Sequence, residues 1–181
     1  MALETVEIEI NSHLLSINQD AFKNCQKLNS FRLPEKLEYL GPGVFENTAI
    51  TSINLPQNLV LEHHALKDMG SLSEIRKDET NNKGYFLING VLFRKLEEYQ
   101  LNILVKYPNC REEVKYLLPE LNDPIKIMRG AFSHSPYLRE IILANNTLDI
   151  DSFAFTNLDL DYLIIPKNVK YLSDDSIYIE G

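Results

Sequence analysis

Three groups of residues in this chain are of types that carry chemistry: a histidine pair, a set of aspartates and two cysteines. His63 and His64 are adjacent. Adjacent side chains diverge, and no cysteine or carboxylate cluster around them has the spacing of zinc ligands, so the pair reads as part of a surface turn. Asp149, Asp151, Asp159, Asp161, Asp174 and Asp175 make the C-terminal part acidic. A calcium loop would need an Asp-x-Asp-x-Asp-Gly run, which does not occur, so these carboxylates read as solvated loop residues. Cys25 and Cys110 lie 85 residues apart. Neither sits in a motif that would make it a nucleophile, and the two do not read as a disulfide framework, so cysteine usage leaves the compartment open. No Gly-x-Ser-x-Gly elbow, P-loop or Gly-x-Gly-x-x-Gly occurs in a chain with only 7 glycines. No residue emerges as catalytic, as a metal ligand or as a cofactor contact, and a protein without enzymatic activity is expected. Asn145-Asn146-Thr147 is a formal N-glycosylation acceptor, without meaning in a bacterial or cytoplasmic protein.

With no reactive constellation, function falls to a surface and to the elements that build it. The 181 residues, 44% apolar, suffice for one domain with a real core, and residues 1–181 read as one domain without linkers. A net charge of −8 sets the surface against nucleic acid. No stretch approaches the ~18 apolar residues that span a bilayer, so no membrane insertion is expected. Met1-Ala2-Leu3-Glu4-Thr5 lacks the basic and apolar regions of a signal peptide. That is expected of a cytoplasmic protein, or of one whose export signal has been removed.

The chain repeats one phrase. Around Ala21 it reads Leu14-Leu15-Ser16-Ile17, then Asp20-Ala21-Phe22-Lys23-Asn24-Cys25, then Leu28-Asn29-Ser30-Phe31-Arg32-Leu33-Pro34. The grammar returns at Val44-Phe45, Ala65-Leu66, Ala131-Phe132 and Ala154-Phe155, with a degenerate copy at Ser176-Ile177. Ala21 to Val44 is 23 residues, Val44 to Ala65 is 21, Ala131 to Ala154 is 23 and Ala154 to Ser176 is 22. A second marker keeps phase. Ile10, Leu33, Leu55, Leu118, Leu143 and Ile165 each close an apolar-x-apolar strand, and Leu33, Leu55, Leu118 and Ile165 precede proline. A period in the low twenties means a solenoid, in which stacked coils bury one continuous column. Ala65 to Ala131 is 66 residues, three repeat lengths without two clean copies. Val6–Ile10 reads as the strand of an earlier copy and Gly181 falls inside a repeat, so the chain is expected to be a piece of a longer protein.

Within a repeat, Phe31 and Leu33 point one way, Ser30 and Arg32 the other, and proline ends the strand. The second half-repeat brings Leu37, Leu40, Val44 and Phe45 inward, or Leu148, Ile150, Ala154 and Phe155. Ala-Phe side by side predicts a turn of helix or 3₁₀ helix with its ring in the centre of the coil, and Cys25 reads as a small packing group there. Residues 78–108 depart from the pattern. Asp78–Gly84 is polar and turn-like, Tyr85–Ile88 and Val91–Arg94 flank the hairpin signal Asn89-Gly90, and Leu101–Tyr107 forms a third strand. This predicts a small antiparallel sheet inserted into the solenoid.

Residues 21–34, as Ala-Phe-x-Asn-Cys-x-x-Leu-x-x-apolar-x-Leu-Pro, resemble the BspA-type leucine-rich repeat. Asn89-Gly90-Val91-Leu92-Phe93, the run ending at Leu104-Val105-Lys106-Tyr107-Pro108, and Leu117-Leu118-Pro119 resemble the Gly-Val-Leu-Tyr hairpin of many such proteins. Departures are local: Leu66 for phenylalanine, Thr48 at the cysteine position, Ser135-Pro136 for Asn-Cys near Phe132. The resemblance covers nearly the whole chain and implies a right-handed leucine-rich-repeat solenoid of short parallel strands with an irregular or 3₁₀ convex side. Such proteins occur in bacteria of the mouth and gut and in some parasitic protists, and several are surface proteins implicated in attachment to host proteins, bacteria or epithelial cells. The resemblance therefore implies an adhesin-like, protein-binding module at the cell surface or secreted, its partner a host matrix or cell-surface protein. A cytoplasmic scaffold and a structural spacer are the alternatives.

The strand register predicts the outward face. One column reads Glu9, Arg32, Asn54, Arg76, Leu117, Ile142, Ile164; the column two residues earlier reads Glu7, Ser30, Ser52, Glu74, Lys115, Glu140, Tyr162. The first half is polar. The second places Leu117, Ile142 and Ile164 on adjacent rungs, edged by Lys115, Glu140 and Tyr162, as an interaction site would. β-branched residues also favour strands wherever they sit, and the inserted hairpin or a further repeat would cover the patch if it folded across these rungs.

Overall fold

A computed structural model describes residues 3–81 and 83–178. The expectations for Met1, Ala2, Asn82 and Gly181 lie outside these. In chain order the strands are β1 (Ser16–Ile17), β2 (Tyr39–Leu40), β3 (Ser52–Leu55), β4 (Val60–Leu61), β5 (Glu74–Lys77), β6 (Tyr85–Ile88), β7 (Val91–Leu96), β8 (Leu101–Lys106), β9 (Lys115–Leu117), β10 (Ile125–Ile127), β11 (Glu140–Ile142), β12 (Thr147–Ile150), β13 (Phe155–Thr156), β14 (Tyr162–Ile164), β15 (Tyr171–Leu172) and β16 (Ile177–Tyr178). They form a leucine-rich-repeat solenoid. Each regular coil runs from a first strand to a second strand to a turn, and each part stacks on its equivalent in the next coil.

The first strands pair in parallel as β3-β5 and as β9-β11-β14, and the second strands begin as β1-β2-β4. Alternation decides their faces: in β3 Ile53 and Leu55 are buried while Ser52 and Asn54 are exposed. Proline after the strand does more than stop it. The carbonyls of Pro34, Pro56 and Pro166 accept from the amides of Leu37, Leu59 and Val169, so each proline opens the turn into the second strand. The two earliest expected first strands do not form. Val6–Ile10 and Ser30–Leu33 have no strand pairing, although Phe31 and Leu33 still point inward. Ile10, expected to close a strand, is 89% exposed.

The Ala-Phe segment is a turn, not a helix. The amides of Asp20, Phe22 and Asn24 bond to Pro42, Val44 and Glu46 of the next coil, while those of Lys23 and Cys25 bond back to Asp20 and Phe22. Alternate amides committed to a neighbouring coil cannot also make an i→i−4 ladder. The alternation requires a left-handed residue at each end of the turn. One column of these is Asp20, Gly43, His64, Gly130, Phe153 and Asp175; the other is Asn24, Asn47, Asp68, His134 and Asn157. Asparagine recurs in the phrase because it tolerates that conformation. The columns also align the copy at Ala131-Phe132: His134 holds the asparagine position and Ser135 the cysteine position, rather than Ser135 and Pro136. Thr48 and Ser135, where Cys25 stands in the first copy, return their hydroxyls to the carbonyls of Phe45 and Phe132; Thr156, at the Lys23 position, does the same to Phe153.

Rings fill the centre of the coils. Phe22 stacks on Phe45 at 5.8 Å, and Tyr107, Phe132 and Phe155 stack at 5.5 and 5.2 Å. Tyr107 thus supplies the ring of the irregular coil. The 66-residue interval contains two coil steps, one enlarged by the hairpin, rather than three. β6 and β7 meet at a two-residue loop whose residues, Asn89 and Gly90, have φ of 48° and 77°, the turn that Asn-Gly favours. The hairpin does not project from the stack. Its strands enter the second column, giving the sheet β15-β12-β10-β8-β7-β6, antiparallel through β8-β7-β6 and parallel beyond. Beside β6, the Tyr85 hydroxyl accepts from the Leu61 amide of β4 at 2.9 Å.

The turn column has no matching addition. Residues 107–110 make only a short turn, so the turns on either side meet: Asp68 Oδ1 lies 3.1 Å from His134 Nδ1. On the strand side β6, β7 and β8 are added before β10, whereas on the turn side only the short turn of residues 107–110 intervenes. At ~4.8 Å per strand the stack is bent, splayed at the strands and closed at the turns. The first-strand column breaks at the same level, since β5 and β9 do not pair.

Candidate functional site

Where the strands pair, the register of the strand face is as expected; Glu7, Glu9, Ser30 and Arg32 lie outside any paired strand. Lys115, Glu140 and Tyr162 align across β9, β11 and β14, as do Leu117, Ile142 and Ile164; Ser52 aligns with Glu74 and Asn54 with Arg76. The break between β5 and β9 divides the expected face in two. In the polar half, Arg76 clasps Glu74 of its own strand through Nε and Nη2 at 2.7 and 2.6 Å, and Arg32 lies 3.5 Å from Glu35. Asn54 is exposed between them.

In the apolar half, Tyr116 and Ile141 are buried, which turns the alternate residues outward. Leu117 is 60% exposed, Tyr162 53% and Ile164 38%, with Ile142 half-buried between its neighbours. Lys115 Nζ pairs with Glu140 Oε2 at 2.7 Å across the rungs, an exposed pair of small energetic weight. The hairpin joins the second column and leaves these rungs uncovered. Val114, which immediately precedes β9, and Ile165, which follows β14, are also exposed apolar residues. Val114 was not singled out in the sequence because it lies outside the alternating pair; Ile165 was expected to face inward.

A second polar region lies along the turns. Glu46 takes Lys23 at 2.9 Å and Lys67 at 2.7 Å, and Asn47 Nδ2 donates to Asn24 Oδ1 at 3.0 Å. Burial disfavours the Asp68 carboxylate, but the hydrogen bond and charge of His134, with Lys67 and Lys106, hold its pKa down at about 2. Beneath that seam the Lys106 amine is buried and donates to the Gly130 carbonyl at 3.1 Å. Burial brings its pKa from 10.5 to about 7, with Asp68 opposing. No sequence signal marks Lys106, because β8 is covered on both faces and loses its alternation.

The residues first considered for chemistry find structural places. His64 is one of the left-handed turn residues, and burial followed by the charge of Arg129 lowers its pKa. Asp149 and Asp151 are not solvated carboxylates: both engage Lys126 of the preceding coil, at 2.9 and 2.7 Å. Cys25 packs half-buried against the N-terminal core, and Cys110 donates its thiol to the Gly70 carbonyl. Among the described residues no three His, Cys, Asp or Glu side chains are grouped to hold a metal ion, and no helix is long and apolar enough to cross a membrane.

Comparison with solved structures returns the same fold. A leucine-rich cell surface protein from Faecalibacterium prausnitzii A2-165 superposes with a TM-score of 0.66 at 21% identity, over 84% of this chain and 45% of its own. A leucine-rich repeat protein from Eubacterium ventriosum ATCC 27560 gives 0.73 at 19% identity, over 90% and 54%. The pneumococcal vaccine antigen PcpA gives 0.70 at 19% identity, over 93% and 46%. The chain spans about half the length of the structures it matches. No curated protein sequence matches it significantly. The profile of the BspA type Leucine rich repeat region matches six copies, over residues 2–89 and 109–179. With that match over most of its length, and with coils that stack in the register its repeats predict, the chain belongs to the BspA-type leucine-rich repeat family.

Proposed function

We propose that this chain is a protein-binding module of a surface-displayed or secreted adhesin, and that the partner docks on the apolar half of the strand face. Leu117, Ile142 and Ile164 form the centre of the contact; Lys115, Glu140 and Tyr162 form its rim. The polar half, with Arg32, Asn54 and Arg76, extends the surface across the break. One observation carries this reading: on three hydrogen-bonded rungs Leu117 and Ile164 stay exposed and Ile142 half-exposed, in aligned positions of one face. Exposed apolar surface with a polar rim commonly marks an interaction site. A surface location is supported by the cell-surface description of one structural neighbour. The partner class is a protein of host matrix or host cell surface.

The test uses Leu117→Ser, Ile142→Ser and Ile164→Ser together. Binding is measured by interferometry to immobilised fibronectin, laminin and collagen, and by adhesion of protein-coated beads to epithelial cells. The expected result is binding to at least one of these by the parent chain, lost in the triple variant with an unchanged circular dichroism spectrum. Equal binding by both proteins, or none by the parent, overturns the proposal.

A further inference from the structure

The bend that closes the turn side leaves a groove of about 370 Å³ across the seam, shared between Asn47, Lys67 and Asp68 before it and Arg129, His134 and Phe153 after it. That size falls within the range of small-ligand sites. None of its residues belongs to the strand face.

Arg129 is half-buried with its guanidinium over the ring of Phe153, 4.4 Å from the centroid. Stacking satisfies the face of the guanidinium and leaves its N–H edge. The nearby carboxylates have other partners: Glu46 has Lys23 and Lys67, Asp68 has the His134 ring, and Asp149 and Asp151 have Lys126. Among the described residues no carboxylate pairs with Arg129 and no acceptor takes its N–H groups. A half-buried guanidinium held flat on a ring presents its N–H fork, and an oxyanion is the group that fork fits.

The platform beneath it is itself held at a cost. Phe153 has a φ of 57°, where the equivalent residues of other coils are Asp20, Gly43, His64, Gly130 and Asp175. Those types enter the left-handed region far more readily than a bulky aromatic residue. The Phe153 amide and carbonyl are nonetheless fixed there by Asp175 and Gly130 of the adjoining coils. The strain keeps the ring under Arg129 and edge-on to Tyr178, at 5.9 Å.

We propose that this groove binds an acidic sugar residue, with Arg129 taking its carboxylate or sulfate and the polar wall taking its hydroxyls. Asp68 decides between this and an acidic peptide. An ionised carboxylate beside the site accepts from sugar hydroxyls, which offset its repulsion of the sugar's own anion; aspartate and glutamate side chains meet the same repulsion with no hydroxyl to donate. Thr156 and the Tyr178 hydroxyl add partners of both kinds.

The test follows amide shifts of the full chain by NMR on titration with glucuronate, galactose 6-sulfate, methyl glucoside, acetate and sulfate. Either acidic sugar should bind at millimolar concentration and shift groove amides, and the tighter of the two identifies the source of the anion. Arg129→Gln should weaken that binding about tenfold or more. Phe153→Gly, which suits the backbone and removes the platform, should also weaken it while preserving the spectrum elsewhere. The proposal is overturned if neither acidic sugar binds, if Arg129→Gln binds as well as the parent, if methyl glucoside binds equally, or if acetate or sulfate alone matches the sugars.

Discussion

Replacing Lys106 by methionine tests the seam between the two halves of the stack. The unfolded chain holds the lysine proton up to about pH 10.5, whereas the folded chain releases it above about 7. Between those values the unfolded state binds more protons, so stability rises with pH. The interval from 10.5 to about 7, at about 1.4 kcal/mol per pH unit, sets a ceiling of about 5 kcal/mol against the charged amine. Methionine matches the stem and removes the charge. It also removes the bond to the Gly130 carbonyl, worth about 1 kcal/mol, but that carbonyl keeps the Ser133 hydroxyl at 3.0 Å. Lys106→Met is therefore expected to be more stable than the parent at pH 7, by a few kcal/mol at most. The advantage should shrink by about 1.4 kcal/mol from pH 8 to pH 9. Urea unfolding at pH 7, 8 and 9 measures both, and histidine and thiol titrations common to the two proteins cancel in the difference. Parallel pH profiles, or a variant less stable at pH 7, would refute the reasoning.

Three further perturbations probe the coil. Phe132→Ala removes the middle ring of the Tyr107-Phe132-Phe155 stack and should cost about 3–5 kcal/mol in chemical unfolding. Asn47→Ala and Asn47→Gly both lose the bond to Asn24, so their difference isolates the backbone at φ 55°; the glycine variant should be the more stable by about 1 kcal/mol. The folded Asp68 stays ionised down to about pH 2 against 3.8 in its ordinary state, so its contribution is complete above about pH 4 and vanishes on acidification through 2. Between pH 5 and pH 2 the parent should lose about 2 kcal/mol more than Asp68→Asn, read from unfolding curves at each pH.

Legibility in the sequence followed the range of the interaction that decides each feature. The pairing of Leu117 with Ile142 and Ile164 could be read because side chains alternate and the period is constant. The Asn89-Gly90 turn could be read because two backbone conformations settle it. The turn of helix or 3₁₀ helix expected at Ala-Phe is reduced to isolated i→i−3 bonds, because the amides of Asp20, Phe22 and Asn24 bond to another coil, a competitor that local propensity does not register. His134 was aligned one place off because a histidine does not resemble asparagine until both are seen in the left-handed column. Asp149 and Asp151 looked solvated because Lys126 lies one coil away.

The repeat phrase and its period determined by themselves that this chain stacks coils and which residues of the regular coils alternate in and out, with Ile10 and Ile165 the exceptions. Those are consequences of local geometry copied at a fixed spacing. Only the tertiary structure decided where the hairpin goes. By adding strands to one column while the turn column gained none, it bent the stack, broke the strand face between Arg76 and Leu117 and brought Asp68 against His134. It also buried the Lys106 amine and left Arg129 without a carboxylate partner among the described residues. These meetings depend on unequal numbers of rungs on the sides of one solenoid, and no window of sequence contains that difference.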